Sequence, residues 1–348
     1  MQLQNPFIYV PLCQPQQLPP VPINPFLQPM FNFQVPLFRR INATDELSPY
    51  GYIFVRLLGQ GSFGKVYLAK HLSSQGFCAV KCASQTLWNP QSQVNVTALT
   101  NEYTILRQMW HNNIVSCLGI ITYDSSTWYL FLEYMDMGSI KSIYKQSGPM
   151  AEICVSYITH EVLNGVLFLH AKLIAHRDIK ADNILLNSAG MIKIADFGIT
   201  KYIYPVHAEG VGLQTKMTGT RSHMAPEIMS ADWQTLYDVR VDIWSLGCTI
   251  IEMLTATSPQ SESYFSSIVC GNVGAIDTYK PANCSYECWL FIKSTLNPNH
   301  FFRRDAALSL CDPWITMMMA MNERAMMVQR AMMMNNPMMN NNAMMLMR

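Results

Sequence analysis

Two short polar motifs lie close together in the chain and hold its densest group of reactive side chains. His176 to Asn183 reads H-R-D-I-K-A-D-N, and Asp196 to Gly198 reads D-F-G after an apolar run, a turn and a strand-like run. Phosphoryl transfer needs this inventory: one carboxylate orients the attacking hydroxyl, a second carboxylate and an amide hold Mg²⁺, and a lysine offsets developing charge. The competing interpretation is a helix, loop and hairpin whose charges are only solvated.

A glycine-rich stretch further towards the N-terminus could cover phosphate groups. Gly59 to Val66 reads G-Q-G-S-F-G-K-V and lies between two β-rich runs, Tyr52 to Leu57 and Tyr67 to Ala69. Glycines let backbone N–H groups approach phosphate oxygens, because no side chain holds them away. Dinucleotide-binding folds share the G-x-G-x-x-G pattern, but there a helix follows it. Here a strand follows, so the pattern predicts a hairpin whose tip closes over phosphates.

A lysine and a glutamate after this hairpin form a candidate ion pair. Lys81 ends the strand that begins at Phe77, and a lysine there can reach the phosphates of a nucleotide. In the predicted helix from Ala98 to Met109, Glu102 shares one face with three apolar residues at helical spacing. We therefore expect Glu102 to pair with Lys81. The alternatives are a surface lysine on an edge strand and a solvated helix glutamate.

Two apolar helices should support these polar motifs. Met150 to Ala171 has an apolar stripe at helical spacing, and we interpret that stripe as core. Ile243 to Leu254 is apolar nearly all round, which predicts a fully buried helix. Asp242 at its start is placed to cap that helix and to hold the backbone of the H-R-D loop. Between them, Ile199 to Arg221 has the composition of a mobile segment and leads to Ala225-Pro226-Glu227.

Taken together, these motifs resemble those of the eukaryotic protein kinases, from Tyr52 to about Trp314. Lys180, two residues after Asp178, follows the serine/threonine pattern. The amino-acid sequences of Asp242 to Met253 and of Glu133 to Ile140 resemble those of the MAP kinase kinase kinase group. The p21-activated and germinal-centre kinases are close relatives of that group. The resemblance implies an α+β, bilobal fold: a five-stranded antiparallel sheet with one helix over 52–135, and a mostly helical lobe over 136–315.

The resemblance also implies roles for individual residues. Asp178 would be the catalytic base, and Lys180 would stabilise the γ-phosphate during transfer. Asn183 and Asp196 would coordinate Mg²⁺. The hinge between the lobes would place Leu132 beside the adenine pocket. The residues implied to bind ATP are Leu58, Gly59, Gln60, Gly61, Ser62, Phe63, Gly64, Lys65, Val66, Ala79, Lys81, Glu102, Leu132, Glu133, Met135 and Leu185.

Several positions are expected to regulate activity or to shape the substrate groove. By its position, the segment from Ile199 to Arg221 would be the activation segment of a kinase. Arg177 could pair with a phosphate group on this segment, with Thr218 as the first candidate phosphorylation site and Thr215 as the second. We expect Thr220 to pack near Lys180 and to help select a Ser or Thr hydroxyl. The resemblance pairs Arg303 with Glu227. After Thr220 the group usually has a proline and then aromatics; this chain has Arg221-Ser222-His223, so the substrate preference stays open.

Composition sets the remaining expectations. The net charge is +1, with 24 basic and 23 acidic residues, so no global attraction to nucleic acid or membrane is expected. Ten scattered cysteines and no secretory leader or membrane-spanning run predict a reduced, cytoplasmic protein. Residues 1–51 are Pro/Gln-rich and are interpreted as a disordered or extended arm, with partner docking as the alternative. Residues 316–348 are Met/Asn-rich and are expected to form a disordered tail, with a helix as the alternative.

The sequence therefore predicts a serine/threonine protein kinase of a MAP-kinase-type cascade, with ATP and Mg²⁺ as cofactors. Its partners would be protein substrates, such as a MAP kinase kinase, and an upstream activating kinase or adaptor that docks on the arm. A pseudokinase scaffold is the alternative, although the lysine and both aspartates that pseudokinases usually lose are present. A small-molecule phosphotransferase is disfavoured by the complete Ala-Pro-Glu activation segment.

Overall fold

The computed structural model describes residues 51–61, 64–85, 90–122, 126–203, 205–206, 210–211, 219–229, 238–258, 274 and 280–335. In this part of the chain a sheet-based lobe precedes a larger helical lobe, as predicted. The first lobe consists of β1 (Tyr52–Gly61), β2 (Gly64–His71), β3 (Phe77–Ser84), α1 (Pro90–Leu106), β4 (Cys117–Thr122) and β5 (Thr127–Glu133).

The five strands form one antiparallel sheet in the order β1-β2-β3-β5-β4. β1 and β2 pair up to Gly61 opposite Gly64, so the glycine-rich stretch lies at the tip of a hairpin. Gly64 has φ +136°, and a Cβ built there would lie 2.2 Å from the carbonyl oxygen of Cys82. Only glycine fits a backbone so close to β3.

Helix α1 packs one face on this sheet. Its buried residues Glu102, Ile105 and Leu106 lie at helical spacing, as the sequence predicted, and Leu99 extends the same buried face. The helix begins at Pro90, however, and ends at Leu106, so the expected span of Ala98 to Met109 was wrong at both ends. Proline suits the first turn of a helix, where its missing N–H has no intrahelical partner.

The second lobe surrounds two apolar helices. All of Val241 to Leu254 in helix α5 (Val241–Thr255) is buried, which confirms the predicted core helix. In the described residues, helix α3 (Glu152–Ala171) alone is long and apolar enough to pass a test for membrane crossing, but 56% of that stretch is buried and its stripe is part of the core. The lobe's helices are α2 (Ile140–Ser147), α3 (Glu152–Ala171), α4 (Pro226–Met229), α5 (Val241–Thr255), α6 (Tyr286–Thr295), α7 (Ala306–Leu310) and α8 (Pro313–Asn335).

Short strands place the polar motifs of this lobe at the boundary with the first. A three-stranded sheet has the order β6 (Gly138–Ser139), β8 (Ile184–Leu186), β9 (Ile192–Ile194), and its last two strands flank the turn between the two polar motifs. Strand β7 (Ile174–Ala175) precedes the H-R-D motif and pairs with β10 (Lys201–Tyr202) after the D-F-G motif. The short strands are β6 (Gly138–Ser139), β7 (Ile174–Ala175), β8 (Ile184–Leu186), β9 (Ile192–Ile194), β10 (Lys201–Tyr202), β11 (Pro205–Val206) and β12 (Gly210–Val211).

The C-terminal segment differs from the expectation. α8 runs from Pro313 to Asn335, so the expected disorder after residue 316 was wrong up to Asn335 and the helical alternative was right. Trp314, which is 0% exposed, fixes the start of α8 in the lobe and donates its indole N–H to Glu152 over 2.8 Å. Met and Ala then propagate the helix readily. Residues 336–348 and the predicted arm at 1–50 lie outside the described residues.

Candidate active site

A cleft of about 640 Å³ lies between the two lobes. It is lined by the glycine hairpin above, by β5 and the following hinge at the back, and by the polar motifs of the second lobe below. The predicted ATP-binding residues that line it are Leu58, Gly59, Gln60, Gly61, Gly64, Val66, Ala79, Lys81, Glu102, Leu132, Glu133, Met135 and Leu185.

Lys65 is exposed on β2 between Gly64 and Val66, and those two residues line the cleft. Successive side chains of a strand point to opposite faces, so the Lys65 side chain lies on the other face of the hairpin, and its expected contact with ATP stays a prediction. Ser62 and Phe63 lie outside the described residues.

Lys81 joins the two lobes electrostatically. Its Nζ lies 2.7 Å from Oε2 of Glu102 on α1 and 2.7 Å from Oδ1 of Asp196. Burial alone would lower the pKa of Lys81, but the two carboxylates outweigh burial and raise that pKa. Burial alone would raise the pKa of Asp196, and the Lys81 ammonium more than offsets it, so the pKa lies below its usual value. Burial raises the pKa of Glu102, and the Lys81 ammonium beside it acts in the opposite direction. The predicted contact of Lys81 with Glu102 is present.

The D-F-G motif is fixed between α1 and the H-R-D motif. The Phe197 N–H donates to Oε1 of Glu102 over 3.3 Å, and the Phe197 ring is fully buried. Its centroid lies 4.8 Å from that of His176 in an edge-on arrangement. The His176 Nε2 lies 3.1 Å from the Ala195 carbonyl, to which it donates. Asp196 is thus held by contacts on both of its chain neighbours.

The catalytic-loop side chains form one hydrogen-bonded group around Asp178. Lys180 Nζ lies 2.7 Å from Asp178 Oδ2, and Asn183 Nδ2 donates to the same oxygen over 2.9 Å. Thr220, as predicted, lies beside Lys180, whose Nζ is 2.7 Å from its Oγ1. The carboxylate of Asp178 is therefore oriented by a cation, an amide and a hydroxyl.

Asp242 supports this loop from the buried helix α5. Its two carboxylate oxygens accept the N–H groups of His176 over 2.9 Å and of Arg177 over 2.8 Å. His170 lies 2.9 Å away, and together these contacts outweigh burial and lower the pKa of Asp242. The predicted support of the loop backbone is confirmed. The predicted helix cap was wrong, because α5 begins at Val241 and its N-cap position is Arg240.

The hinge after β5 presents backbone rather than side chain at Glu133. The Glu133 carboxylate is held behind the cleft, 2.7 Å from Lys193 Nζ and 2.6 Å from the Ser116 N–H. Leu132, the expected neighbour of adenine, lines the cleft at 7% exposure, and Met135 follows it. The expected backbone contacts of Glu133 and Met135 with adenine stay a prediction.

Some of the expected regulatory residues lie in the described part of the chain and others do not. Arg303 forms a two-pronged pair with Glu227, with nitrogen-to-oxygen distances of 2.6 and 3.0 Å, as predicted. Arg177 donates its Nε–H to the Ile199 carbonyl over 2.8 Å, at the start of the activation segment. Thr215 and Thr218 lie outside the described residues, so their phosphorylation stays a prediction.

Sequence reasoning missed several residues of the site. Asn101 donates from α1 to three carbonyls that follow Asp196, although a polar residue in a helix gives no such signal. Arg56 lines the cleft and donates to the Tyr134 hydroxyl over 3.2 Å. Asp182 also lines the cleft, paired with Lys141 over 2.7 Å. Its place inside H-R-D-I-K-A-D-N could have identified it.

The donors at the base of the cleft fit a magnesium ion. Asn183 and Asp196 both line it and supply oxygen ligands, which Mg²⁺ prefers. The NH₂ group of Asn183 is committed to Asp178, through its backbone carbonyl and its Oδ2, both over 2.9 Å. The amide therefore offers its oxygen, not its nitrogen, to a ligand. Two protein ligands suit Mg²⁺ that is also bound by phosphates and water.

The fold is bilobal, and the polar motifs meet at the cleft between the two lobes. The sheet lobe contributes the glycine hairpin and Lys81, and the helical lobe contributes Asn183 and Asp196. The chain belongs to the protein kinase domain family, whose model matches residues 52–315.

The chain is also similar to MAP kinase kinase kinases. It is 36% identical to mitogen-activated protein kinase kinase kinase 3 of Homo sapiens over 225 residues, which are 64% of this chain and 35% of that protein. It is 35% identical to ANP1 of Arabidopsis thaliana over 259 residues, 74% of this chain and 37% of that kinase. YODA of Arabidopsis thaliana is 36% identical over 268 residues, 76% of this chain and 29% of that kinase. The chain thus matches about a third of the length of these relatives.

Proposed function

We propose that this protein is a serine/threonine protein kinase that transfers the γ-phosphate of ATP to protein substrates. The observation that carries the proposal is the convergence of Lys81, Asn183 and Asp196 on one cleft, with Asp178 hydrogen-bonded to Asn183 beside it. Lys81 and Asp196 are in contact there, and Asn183 joins Asp178 to the same site. A pseudokinase scaffold is disfavoured, because each of these groups is present and held in a charged or hydrogen-bonded arrangement.

The geometry assigns a task to each group. Lys81 faces the cleft as a cation held in place by Glu102, where it can bind and orient nucleotide phosphates. Asp178 is oriented to accept the proton of a substrate hydroxyl, and Lys180 beside it can stabilise charge on the transferred phosphoryl group. Asn183 and Asp196 would hold Mg²⁺, which when bound neutralises phosphate charge. Because the transition state is loose, such positioning supplies most of the rate.

The preference for Ser or Thr rests on the groups beside the base. Lys180 and Thr220 are in contact, and both lie within hydrogen-bond distance of Asp178. This compact arrangement suits a short aliphatic hydroxyl close to the carboxylate. The names of the similar proteins support a place in a MAP-kinase-type cascade, with a MAP kinase kinase as substrate. An upstream kinase or adaptor docking on the Pro/Gln-rich arm, and a cytoplasmic location, belong to the same proposal.

A phosphotransfer assay tests the enzyme against the scaffold. The full chain is incubated with γ-labelled ATP, Mg²⁺ and either a generic Ser/Thr protein substrate or an inactive MAP kinase kinase. We expect label on the substrate with the unmodified chain and at least a hundredfold less with Asp178→Asn. Asp305→Asn is the matched control, because Asp305 is the N-cap of α7 and asparagine caps a helix equally well.

Three results would contradict the proposal in different ways. Nucleotide binding without any transfer would support the scaffold. Equal labelling by the unmodified chain and Asp178→Asn would show that Asp178 is not the base. Label on tyrosine, detected by hydrolysis and separation of phosphoamino acids, would overturn the Ser/Thr assignment alone.

A further inference from the structure

One side chain of α1 contacts the turn that follows the metal-binding aspartate at three points. Asn101 Nδ2 lies 3.3 Å from the Phe197 carbonyl oxygen, 3.2 Å from that of Gly198 and 3.1 Å from that of Thr200. All three acceptors are backbone carbonyls, so the NH₂ group and not the oxygen of this amide must face them. The contacts therefore require a hydrogen-bond donor at position 101.

The next residue of the helix, Glu102, also holds this turn, but as a hydrogen-bond acceptor. Glu102 accepts the Phe197 N–H on Oε1 over 3.3 Å, while its Oε2 pairs with Lys81. Both backbone groups of Phe197 therefore bond to consecutive residues of α1. A shift of α1 relative to the second lobe would break both contacts at once.

The turn needs such support because its first residue is strained. Asp196 has φ +64°, in the left-handed region that is unfavourable for residues other than glycine. Within the turn, the Thr200 N–H donates to the Phe197 carbonyl over 3.2 Å. The buried Thr200 hydroxyl donates to the His176 carbonyl over 3.3 Å, which connects the turn to the H-R-D motif. Asn101 completes this set from α1.

We propose that Asn101 is a positioning residue for phosphoryl transfer, which holds the turn after Asp196 to α1. The proposal rests on the kinase function proposed above. In this role Asn101 couples the position of α1 to the orientation of Asp196. Glu102 contributes to the same coupling through Lys81, which contacts Asp196, and Asn101 contributes through the backbone carbonyls after Asp196. Asn101 contacts backbone carbonyls and not the nucleotide, so it would affect the reaction by orienting Asp196, the proposed magnesium ligand.

The test uses two variants of the full chain and a matched control. Asn101→Asp keeps the shape of the side chain but turns the donor into an acceptor, and Asn101→Leu removes the donor without adding charge. Asn95→Asp is the control, because Asn95 lies on the same helix and accepts from Gln91 through its Oδ1, a bond that aspartate keeps. Thermal unfolding of each variant establishes that it is folded.

Two measurements then report on the contact. Hydrogen exchange of the nucleotide-free protein reads the amides of 196–200 directly; we expect about tenfold faster exchange in both Asn101 variants and no change in Asn95→Asp. Steady-state kinetics should show about a tenfold lower kcat and a several-fold higher Mg²⁺ requirement, with the KM for the protein substrate unchanged. A general loss of packing would instead change exchange across the whole of the first lobe.

The two proposals fail in distinguishable ways. If exchange of 196–200 is the same in the Asn101 variants and in the control, the positioning role is wrong, whatever the activity. If exchange rises but kcat and the Mg²⁺ requirement stay at the level of the unmodified chain, the contact is structural and the role is again wrong. If the unmodified chain transfers no phosphate while exchange responds as expected, the kinase function is what fails.

Discussion

Thr220 donates its hydroxyl hydrogen to Oδ1 of Asp178 over 2.7 Å, and its backbone N–H reaches the same oxygen over 3.2 Å. A residue near the C-terminal end of the activation segment thus holds the proposed base directly. Gly219 makes this approach possible: it has φ +123°, and a Cβ there would lie 2.8 Å from the Arg177 carbonyl oxygen. Placement of the activation segment and orientation of the base are therefore coupled.

Thr220→Val should lower kcat by about tenfold to a hundredfold, because it removes a hydroxyl that bonds to two charged groups, Asp178 and Lys180. Thr220→Ser keeps the hydroxyl and should stay within a few-fold of the unmodified chain. Steady-state phosphorylation of a protein substrate gives both values. Equal rates for the valine and serine variants would mean that the hydroxyl has no part in the reaction.

Lys81→Met should reduce both activity and stability. Activity falls because the phosphates lose their cation, and stability falls by about 3–5 kcal/mol because the buried Glu102 and the partly buried Asp196 lose the cation that contacts both. Adding Glu102→Gln should restore part of the stability but none of the activity. Urea unfolding measures the free energy of each variant, with Lys70→Met on β2 as the control. Additive losses in the double variant would contradict the coupling.

Stability should fall as the pH is lowered from 7.5 to 5.5. Burial lowers the pKa of His176, and the ring uses both nitrogens in its neutral form: Nε2 donates to Ala195, and Nδ1 accepts the Asp178 N–H over 3.3 Å. In the unfolded chain this histidine binds a proton near pH 6.5, whereas in the folded protein the ring stays neutral to a lower pH. The free energy of unfolding therefore decreases below about pH 6.5, by at most about 1.4 kcal/mol per pH unit. Burial likewise lowers the pKa of His111, which adds to the effect.

His176→Asn isolates the contribution of this ring. Asparagine can donate and accept hydrogen bonds but does not titrate, so the pH dependence of its unfolding free energy should be shallower by about one proton. The comparison uses urea unfolding at pH 7.5, 6.5 and 5.5, and it reads the slope with pH rather than the absolute stability. An unchanged slope would show that His176 is not the group that resists protonation.

Arg303→Lys should cost about 1–3 kcal/mol of stability although it keeps the charge. Arg303 is fully buried, binds Glu227 with two nitrogens, and donates to the Asn297 carbonyl as well, a set that one ammonium cannot reproduce. Arg304→Lys is the control: its side chain is 41% exposed and pairs singly with Asp312. Urea unfolding should show less than about 0.5 kcal/mol of change for the control.

The parts of the site that the sequence predicted are those whose chemistry depends on local spacing. Lys81 and Glu102 could be paired because a strand end and one helix face fix where each side chain points. The polar motifs could be assigned because a loop and a hairpin bring Asp178, Asn183 and Asp196 together over a short stretch of chain. The pair of Arg303 with Glu227 came from the family resemblance, since nothing local connects them.

The features that the sequence did not predict depend on tertiary contacts. The first turns of α1 lack a clear apolar stripe, and their helical state is supported by packing on the sheet. The exposed position of the Lys65 side chain follows from the alternation of a strand, which membership of the glycine motif does not show. The contacts of Asn101 depend on how a turn of the second lobe meets α1. The length of α8 depends on the anchoring of Trp314, after which ordinary propensity suffices.

Asp242 is 0% exposed and belongs to the most deeply buried helix, yet it carries the N–H groups of His176 and Arg177. The catalytic loop consequently has no melting transition of its own. On warming, turnover should persist until the helical lobe unfolds, and the loss of turnover and the unfolding of the lobe should occur within the same few degrees. Substitutions that improve packing around α5 would then extend the working temperature range of the enzyme without touching any group in the cleft.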